Sequence, residues 1–267
     1  MRITLNGRKI ELDAGWAFEV RERYGKPNDI VILNGFQIEE DCKISENDIL
    51  NIITKGVMPG KDELESMMMA RHTPRVHSEV KKGKVAVAGL GGLGSNIAVM
   101  LARVGVGQLL LVDFDVVEPS NLNRQSYSIS HLGMPKTAAL KKQIQEINPF
   151  VKVELREVRV TENNVRELFG GYDIVCEAFD RPEAKAVLVN TALEQLPDIK
   201  VVAASGMAGC ESSNLIRTVK PMKRLYLCGD LENGAGTGSG LMAPRVMVCA
   251  GHQANMVLRL LLGLEEA

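Results

Sequence analysis

The hexapeptide GLGGLG at residues 89–94 constrains this chain more than any other stretch. It follows the apolar run KVAVA and opens SNIAVMLARVGV, so it falls between a strand and a helix. In that setting G-x-G-x-x-G is the turn of a nucleotide-binding βαβ unit. Its glycines let the backbone approach a phosphate, and the N-terminal end of the following helix favours negative charge. A second apolar strand, QLLLVDF, brings Asp113 to its end, where a carboxylate can bond a ribose hydroxyl. The turn alone does not separate a nicotinamide dinucleotide from ATP, or either from a tight strand–helix turn with no ligand.

The residues after it choose between cofactors. Residues 113–125 read DFDVVEPSNLNRQ. A nicotinamide site needs one acidic residue here, and this segment adds Asp115, Asn121, Asn123, Arg124 and Gln125. The planar, permanently charged fork of Arg124 suits phosphate oxygens. The three amides can bond phosphates or fix the loop; a merely solvated connection is the alternative. Pro135 suits the start of a helix, which puts Lys136 in a first turn where its charge opposes the helix dipole. A nearby polyphosphate removes that cost, as does a side chain reaching water. Asp180 closes the apolar run DIVCEAFD. Ligands of open sheets bind outside the carboxyl ends of strands, and one aspartate there can hold Mg²⁺ while phosphates and waters complete the shell. Asp180 can equally cap the next helix, with Glu183 as capping-box partner. There is no G-x-x-x-x-G-K-[ST] and no obvious hydrolytic nucleophile or base. Holding a triphosphate without hydrolytic machinery suits transfer of its adenylyl group.

The rest of the chain frames that site. From Lys84 onward strands alternate with helices, which implies a mainly parallel sheet with helices on both faces, an α/β Rossmann-like fold. Residues 1–56 differ. Two Asn-Gly turns lie among alternating strands with one short helix between them, in the order strand–strand–helix–strand–strand, a β-grasp pattern. Residues 57–80 read as a linker turning into a helix near Asp62 to Ala70, and 81–267 as the nucleotide-binding domain. The Met67–Met69 run reads as packing filler. A net charge of −1 gives no basic surplus for nucleic acid or membrane. No apolar run approaches the ~20 residues of a membrane span, and no signal peptide is evident, so the cytoplasm is the expected location. The five cysteines are dispersed, without a C-x-x-C pair, so no zinc site is expected.

GLGGLGSN, LVDFDVVEPSNLNRQ, GMPK and EAFD together resemble the adenylating domain shared by ThiF, MoeB and the ubiquitin-activating enzymes, over about residues 64–267. The ThiF group, which adenylates the sulfur carrier ThiS in thiamine biosynthesis, is the most similar; the N-terminal module more weakly resembles ThiS itself. The resemblance implies that Gly89, Gly91, Gly92 and Gly94 line the ATP phosphates and that Asp113 binds the ribose. It implies that Asp115, Asn121, Arg124, Gln125 and Lys136 surround the triphosphate and that Asp180 holds Mg²⁺. Arg124, Lys136 and Asp180 are the implied catalytic residues. It also implies a ThiS-like carrier, a persulfide sulfur donor and a two-fold homodimer. Alternatives on the same scaffold are a MoeB-like enzyme, an enzyme adenylating a modified tRNA base, or a non-catalytic relative. The chain departs from the family in lacking two C-x-x-C pairs and a cysteine in the loop before the last helix. Cys228 lies upstream of that loop and reads as a packed thiol, with sulfur transfer as the lesser possibility. Arg71 and Arg75 are candidates for an arginine supplied across a dimer. The N-terminal module has no Gly-Gly end and continues through TKGVMPGKDELES, so it is expected to be a degenerate carrier retained for docking or regulation.

Overall fold

The computed structural model describes residues 1–267, except the side chain of Pro74. It divides into two compact units, Met1–Glu79 and Val80–Ala267.

In the first unit, β1 (Arg2–Leu5) and β2 (Arg8–Glu11) form an antiparallel hairpin, and helix α1 (Ala17–Tyr24) follows. Strands β3 (Ile30–Leu33), β4 (Phe36–Ile38) and β5 (Ile49–Ile53) complete a five-stranded sheet in the order β2-β1-β5-β3-β4. The parallel β1–β5 pair at its centre gives the β-grasp arrangement. Both hairpins turn on Asn-Gly, with Asn6 at φ 47° and Asn34 at φ 51°, as the left-handed positions of tight hairpin turns require. Ile3, Leu5, Val20, Val31, Leu50 and Ile52 are the heart of its core. Beyond β5, helices α2 (Lys61–Met68) and α3 (Pro74–Val80) follow. Helix α3 has no clear signal in the sequence. Helix α2 lies back on the sheet: Ser66 Oγ donates to Asn51 Oδ1 of β5 at 2.8 Å, and Asn51 is buried. Arg71 donates to Gln37 Oε1 at 2.7 Å, also within this unit.

The second unit begins with β6 (Lys84–Ala88), α4 (Gly92–Arg103) and β7 (Gln108–Val112). It continues through α5 (Lys136–Ile147), β8 (Lys152–Arg156), α6 (Val165–Phe169), β9 (Ile174–Glu177), α7 (Pro182–Gln195) and β10 (Lys200–Ala204). A hairpin of β11 (Arg217–Met222) and β12 (Leu225–Gly229) and the long helix α8 (Ala243–Leu261) close the chain. The seven strands lie in the order β11-β12-β10-β9-β6-β7-β8. All pairs are parallel except β11–β12. The sequence reading did not foresee that hairpin, since residues 217–222 are mostly polar or exposed, as befits an edge.

Val85 through Ala88 are fully buried, as expected of a strand covered on both faces. Alternate residues serve opposite layers. Ala86, Ala88, Leu110, Val112, Val175 and Val201 meet Phe169, Leu188 and Ala192 of α6 and α7. Helices α4, α5 and α8 pack together in a separate layer. The buried stripe Val246, Cys249, Ala250, Gln253, Val257 and Leu260 gives α8 its inward face at helical spacing. The chain leaves β6 for β7 and β8 on one side and returns to β9 on the other, so the carboxyl ends of β6 and β9 flank a topological switch point.

A buried ion pair ties the end of β12 to the start of α8. Asp230 meets Arg245, and both are largely enclosed. Burial alone would push the Asp230 carboxyl up. Hydrogen bonds from Asn233 and the Glu232 N–H, with the Arg245 charge, outweigh it and hold the group at about 2, below its ordinary 3.8. A depressed carboxyl stabilises the fold above its unfolded pKa and loses that contribution as pH falls toward the folded value.

Two outcomes are expected. Phe169→Ala should cost about 3–5 kcal/mol and lower the melting midpoint by on the order of 10 °C; a shift of a degree or two would contradict this packing. The stability difference between the wild type and Asp230→Asn should shrink by about 2 kcal/mol between about pH 4 and 2, measured by denaturant titration. A difference that stays flat across that window would remove Asp230 from the acid response.

Candidate active site

The switch point opens into a cleft of about 840 Å³, within the size range of small-ligand sites. Gly89, Gly91, Gly92, Asp113, Asp115, Asn121, Arg124, Gln125, Lys136 and Asp180 all line it. Gly94 and Asn123 do not.

The glycine turn is built by close approach. Gly89 sits at φ +89°, and a Cβ there would press on the Ala178 carbonyl. A Cβ at Gly94 would overlap the Gly89 carbonyl oxygen, so Gly94 serves the packing of α4 against its own turn. The first turn of α4 is thereby presented to the cleft, with its backbone N–H groups free for an anion.

Asp113 joins the turn to the polar loop. It lies just past β7, and its Oδ2 accepts from the Leu90 N–H at 2.6 Å while Oδ1 accepts from the Asp115 N–H at 2.9 Å. Each oxygen keeps a lone pair for a hydroxyl. Four further bonds fasten the loop to α4 and the glycine turn. Ser126 N–H donates to Ser95 Oγ (3.0 Å), Ser126 Oγ to Asn96 Oδ1 (2.8 Å), Asn96 Nδ2 to the Arg124 carbonyl (3.1 Å) and Tyr127 Oη to the Leu90 carbonyl (2.9 Å). Burial, reinforced by Asp113, pushes the Tyr127 phenol well above its usual range, so it stays a donor.

Within that frame the amides divide their work. Asn121 is buried, and its Oδ1 accepts from the Glu118 N–H at 3.0 Å, which fixes the loop. Asn123 is exposed, and its Oδ1 accepts from Arg124 Nη1 at 2.9 Å, so it orients the guanidinium from outside the cleft wall. The Arg124 fork also donates to the Ser120 carbonyl, while its buried Nε and the buried Gln125 Oε1 have no partner among the described residues. Two unpaired polar atoms on one wall are costly to leave so. Lys136 is 6% exposed at the first position of α5, and its ammonium is held 3.0 Å from Asp115. That carboxylate offsets the cost of a buried cation at a helix N-terminus.

Asp180 differs from expectation in one respect. Strand β9 ends at Glu177 and Arg181 occupies the N-cap of α7, so Asp180 neither closes the strand nor caps the helix. Its carboxylate is exposed in the cleft and makes no hydrogen bond or ion pair among the described residues. One free carboxylate in a cleft that also holds Arg124 and Lys136 fits Mg²⁺, which is held by one or two carboxylates with phosphates and waters.

Sequence reasoning missed several lining residues. Arg159 stacks on Phe114, with its guanidinium carbon 4.7 Å from the ring centroid, and Val158 and Val160 flank them. The rule that ligands lie past strand ends could have found this group after β8. Ser205–Met207 and Asn233–Ala235 come from two loops joined by backbone bonds from Met207 and Ala208 to Asn233, and no local pattern signals them. Lys185 also lines the cleft, its charge taken up by buried Glu177. Burial pushes the Glu177 carboxyl up, and the Lys185 ammonium opposes that push. Cys228 is buried beside Thr218, and burial raises its thiol to about 11, which makes it a poor nucleophile.

Known proteins match both units. The ThiF family model matches residues 65–267, and the ThiS-like ubiquitin model matches residues 1–56. The adenylyltransferase and sulfurtransferase UBA4 of Saccharomyces cerevisiae is 32% identical over 206 residues, covering 74% of this chain and 46% of that protein. The sulfur carrier protein adenylyltransferase of Thermus thermophilus is 37% identical over 137 residues, covering 49% of this chain and 50% of that one. The chain thus spans about half the length of these curated relatives. Among solved structures, the E. coli tRNA N6-threonylcarbamoyladenosine dehydratase TcdA in complex with ATP superposes with a TM-score of 0.68 at 22% identity, covering 78% of this chain and 98% of that one; at that identity the likeness is one of fold. The glycine turn, the sewn-down polar loop and these matches converge: the chain belongs to the ThiF family, and it carries a ThiS-like ubiquitin domain ahead of its ThiF domain.

Proposed function

We propose that the chain uses ATP to adenylate the C-terminal glycine carboxylate of a separate ubiquitin-like sulfur carrier, releasing pyrophosphate. We take that carrier to be of the ThiS type, serving thiamine thiazole formation. The observation that carries this is one cleft holding a glycine turn at a helix N-terminus, the cations Arg124 and Lys136, and the unpartnered carboxylate of Asp180. The lining residues include neither histidine nor cysteine, so no thiol nucleophile faces the cleft.

In the reaction, a carboxylate oxygen of the carrier forms a bond to the α-phosphorus. The bond from that phosphorus to its bridging oxygen breaks, and pyrophosphate departs with the electron pair. The residues position and stabilise. Asp113 holds the ribose, and the backbone N–H groups at the start of α4 face the phosphates. Arg124 and Lys136 bring fixed positive charge to oxygens that become more negative as the bond breaks, an effect strongest for preorganised groups in a partly enclosed site. Asp180 would hold Mg²⁺, which when bound neutralises phosphate charge. A persulfide donor would then displace AMP from the acyl-adenylate to give an acyl disulfide, and a thiol reductant would cleave that disulfide to leave the carrier thiocarboxylate. A two-fold dimer and a cytoplasmic setting belong to the same proposal.

The ThiS-like domain of this chain is not that substrate in our account. Its last strand, β5, ends at Ile53 and the chain continues through Gly56 into α2, which is bonded back to β5 through Ser66 and Asn51, so no free terminal carboxylate is on offer. The relatives bearing the names sulfur carrier protein adenylyltransferase and UBA4 support a carrier as acceptor. Adenylation of a modified tRNA base is the second reading, favoured by the fold likeness to TcdA. A net charge of −1 counts against it.

ATP–pyrophosphate exchange with Mg²⁺ should appear only when a ThiS-like carrier ending in Gly-Gly is added. Arg124→Ala should reduce it about a hundredfold or more. Exchange without added carrier, or an Arg124→Ala variant with full activity, would overturn the proposal.

A further inference from the structure

Glu177 is the last residue of β9 and is 1% exposed. Its carboxylate is fully engaged. Lys185 Nζ donates to Oε1 at 3.0 Å and Oε2 at 2.9 Å, and the Phe179 N–H donates to Oε1 at 2.7 Å. Lys185 Nζ also donates to the carbonyl of Ala204, the last residue of β10, at 3.1 Å. Its donors are therefore directed to the ends of two adjacent strands. The Lys185 backbone N–H bonds the Arg181 carbonyl at 3.0 Å, which fixes it one turn into α7. From the helical layer, Gln253 Nε2 of α8 donates to the carbonyls of Glu177 at 3.1 Å and Val202 at 3.2 Å.

These bonds surround the connection 178–181, and Asp180 is in the middle of it. Asp180 has no side-chain partner of its own, so its placement depends on the backbone that carries it. That backbone is held by Glu177 from one end and by α7, through Lys185, from the other. An enclosed ion pair is weak evidence for stability, because desolvation offsets much of the attraction and apolar replacements are often as stable. A pair spent on a four-residue connection at the cleft is accounted for by what that connection carries. Lys185 lines the cleft, but its ammonium is committed to Glu177 and Ala204 and is not left over for a phosphate.

We propose that Glu177 and Lys185 are a positioning pair, which locks the 178–181 connection so that Asp180 is held ready for the metal-bound phosphates. The pair acts through Asp180 and is not itself a phosphate ligand. This rests on the ATP site proposed above.

A double-mutant cycle tests it, with the ATP dissociation constant measured by calorimetry in excess Mg²⁺ and again in EDTA. Lys185→Met and Asp180→Ala should each weaken binding about tenfold in Mg²⁺ and less than about twofold in EDTA. The double variant should bind no more weakly than Asp180→Ala alone, because the two changes remove one interaction. Lys185→Arg should restore affinity to within about threefold of wild type. Equal losses in Mg²⁺ and EDTA would make Lys185 a direct phosphate ligand and overturn the proposal, as would effects that add fully in the double variant. If Lys185→Met shows no cooperative melting, Lys185→Gln is read against the same thresholds. A wild type that binds no ATP overturns both proposals. ATP binding with an intact cycle but no carrier-dependent exchange overturns the function alone, and exchange with an additive cycle overturns the pair alone.

Discussion

The site depends on one carboxylate. Asp113 accepts the Leu90 N–H with one oxygen and the Asp115 N–H with the other. The first bond holds the glycine turn and the second starts the polar loop, so a single side chain sets the distance between the two walls that a nucleotide would touch. Asp113 is nearly buried, and losing one of its bonds would leave a backbone donor without a partner, a cost of about 1–3 kcal/mol. The Tyr127 hydroxyl and the Ser95, Asn96 and Ser126 side chains repeat the connection, which makes turn and loop one rigid surface.

Electrostatics follow from that rigidity. Lys136 is buried at a helix N-terminus, where the dipole disfavours it, and is kept there by Asp115. Arg124 is oriented by Ser120 and Asn123. Both cations are thus fixed before any ligand arrives, and little reorganisation is needed when phosphate charge develops. On the facing strand, Glu177 has its charge compensated internally while Asp180, three residues on, is left open. Two acidic residues, one at the end of β9 and one in the connection after it, therefore divide between holding the backbone and facing the cleft.

Much of this was legible in the sequence, for physical reasons. The glycine turn, Asp113 and the 121–125 segment are local, and their chemistry is written in consecutive residues. The parallel sheet was legible because Val85 to Ala88 and Leu109 to Val112 are apolar without alternation. What escaped was non-local or weakly patterned. Strand β11, at the sheet edge, mixes polar and apolar residues without clear alternation, and α3 is too short for a clear period. The Asp230–Arg245 and Glu177–Lys185 pairs join residues 15 and 8 positions apart through folds that no spacing announces. The capping role weighed for Asp180 failed because α7 starts with Arg181 as its cap, one residue later than the D-R-P-E pattern implies.

The two domains also explain one another. The ThiS-like domain continues from β5 into α2, and the ThiF domain gathers Arg124, Lys136 and Asp180 in one cleft. The most direct measurement is the intact mass of a separate Gly-Gly-ended carrier after incubation with this chain, ATP and Mg²⁺, with fragmentation to locate any change. The account predicts a gain of one adenylyl group on the carrier's C-terminal glycine and none on the chain itself. An unmodified carrier, with adenylate found on the chain's own N-terminal domain or nowhere, would contradict it.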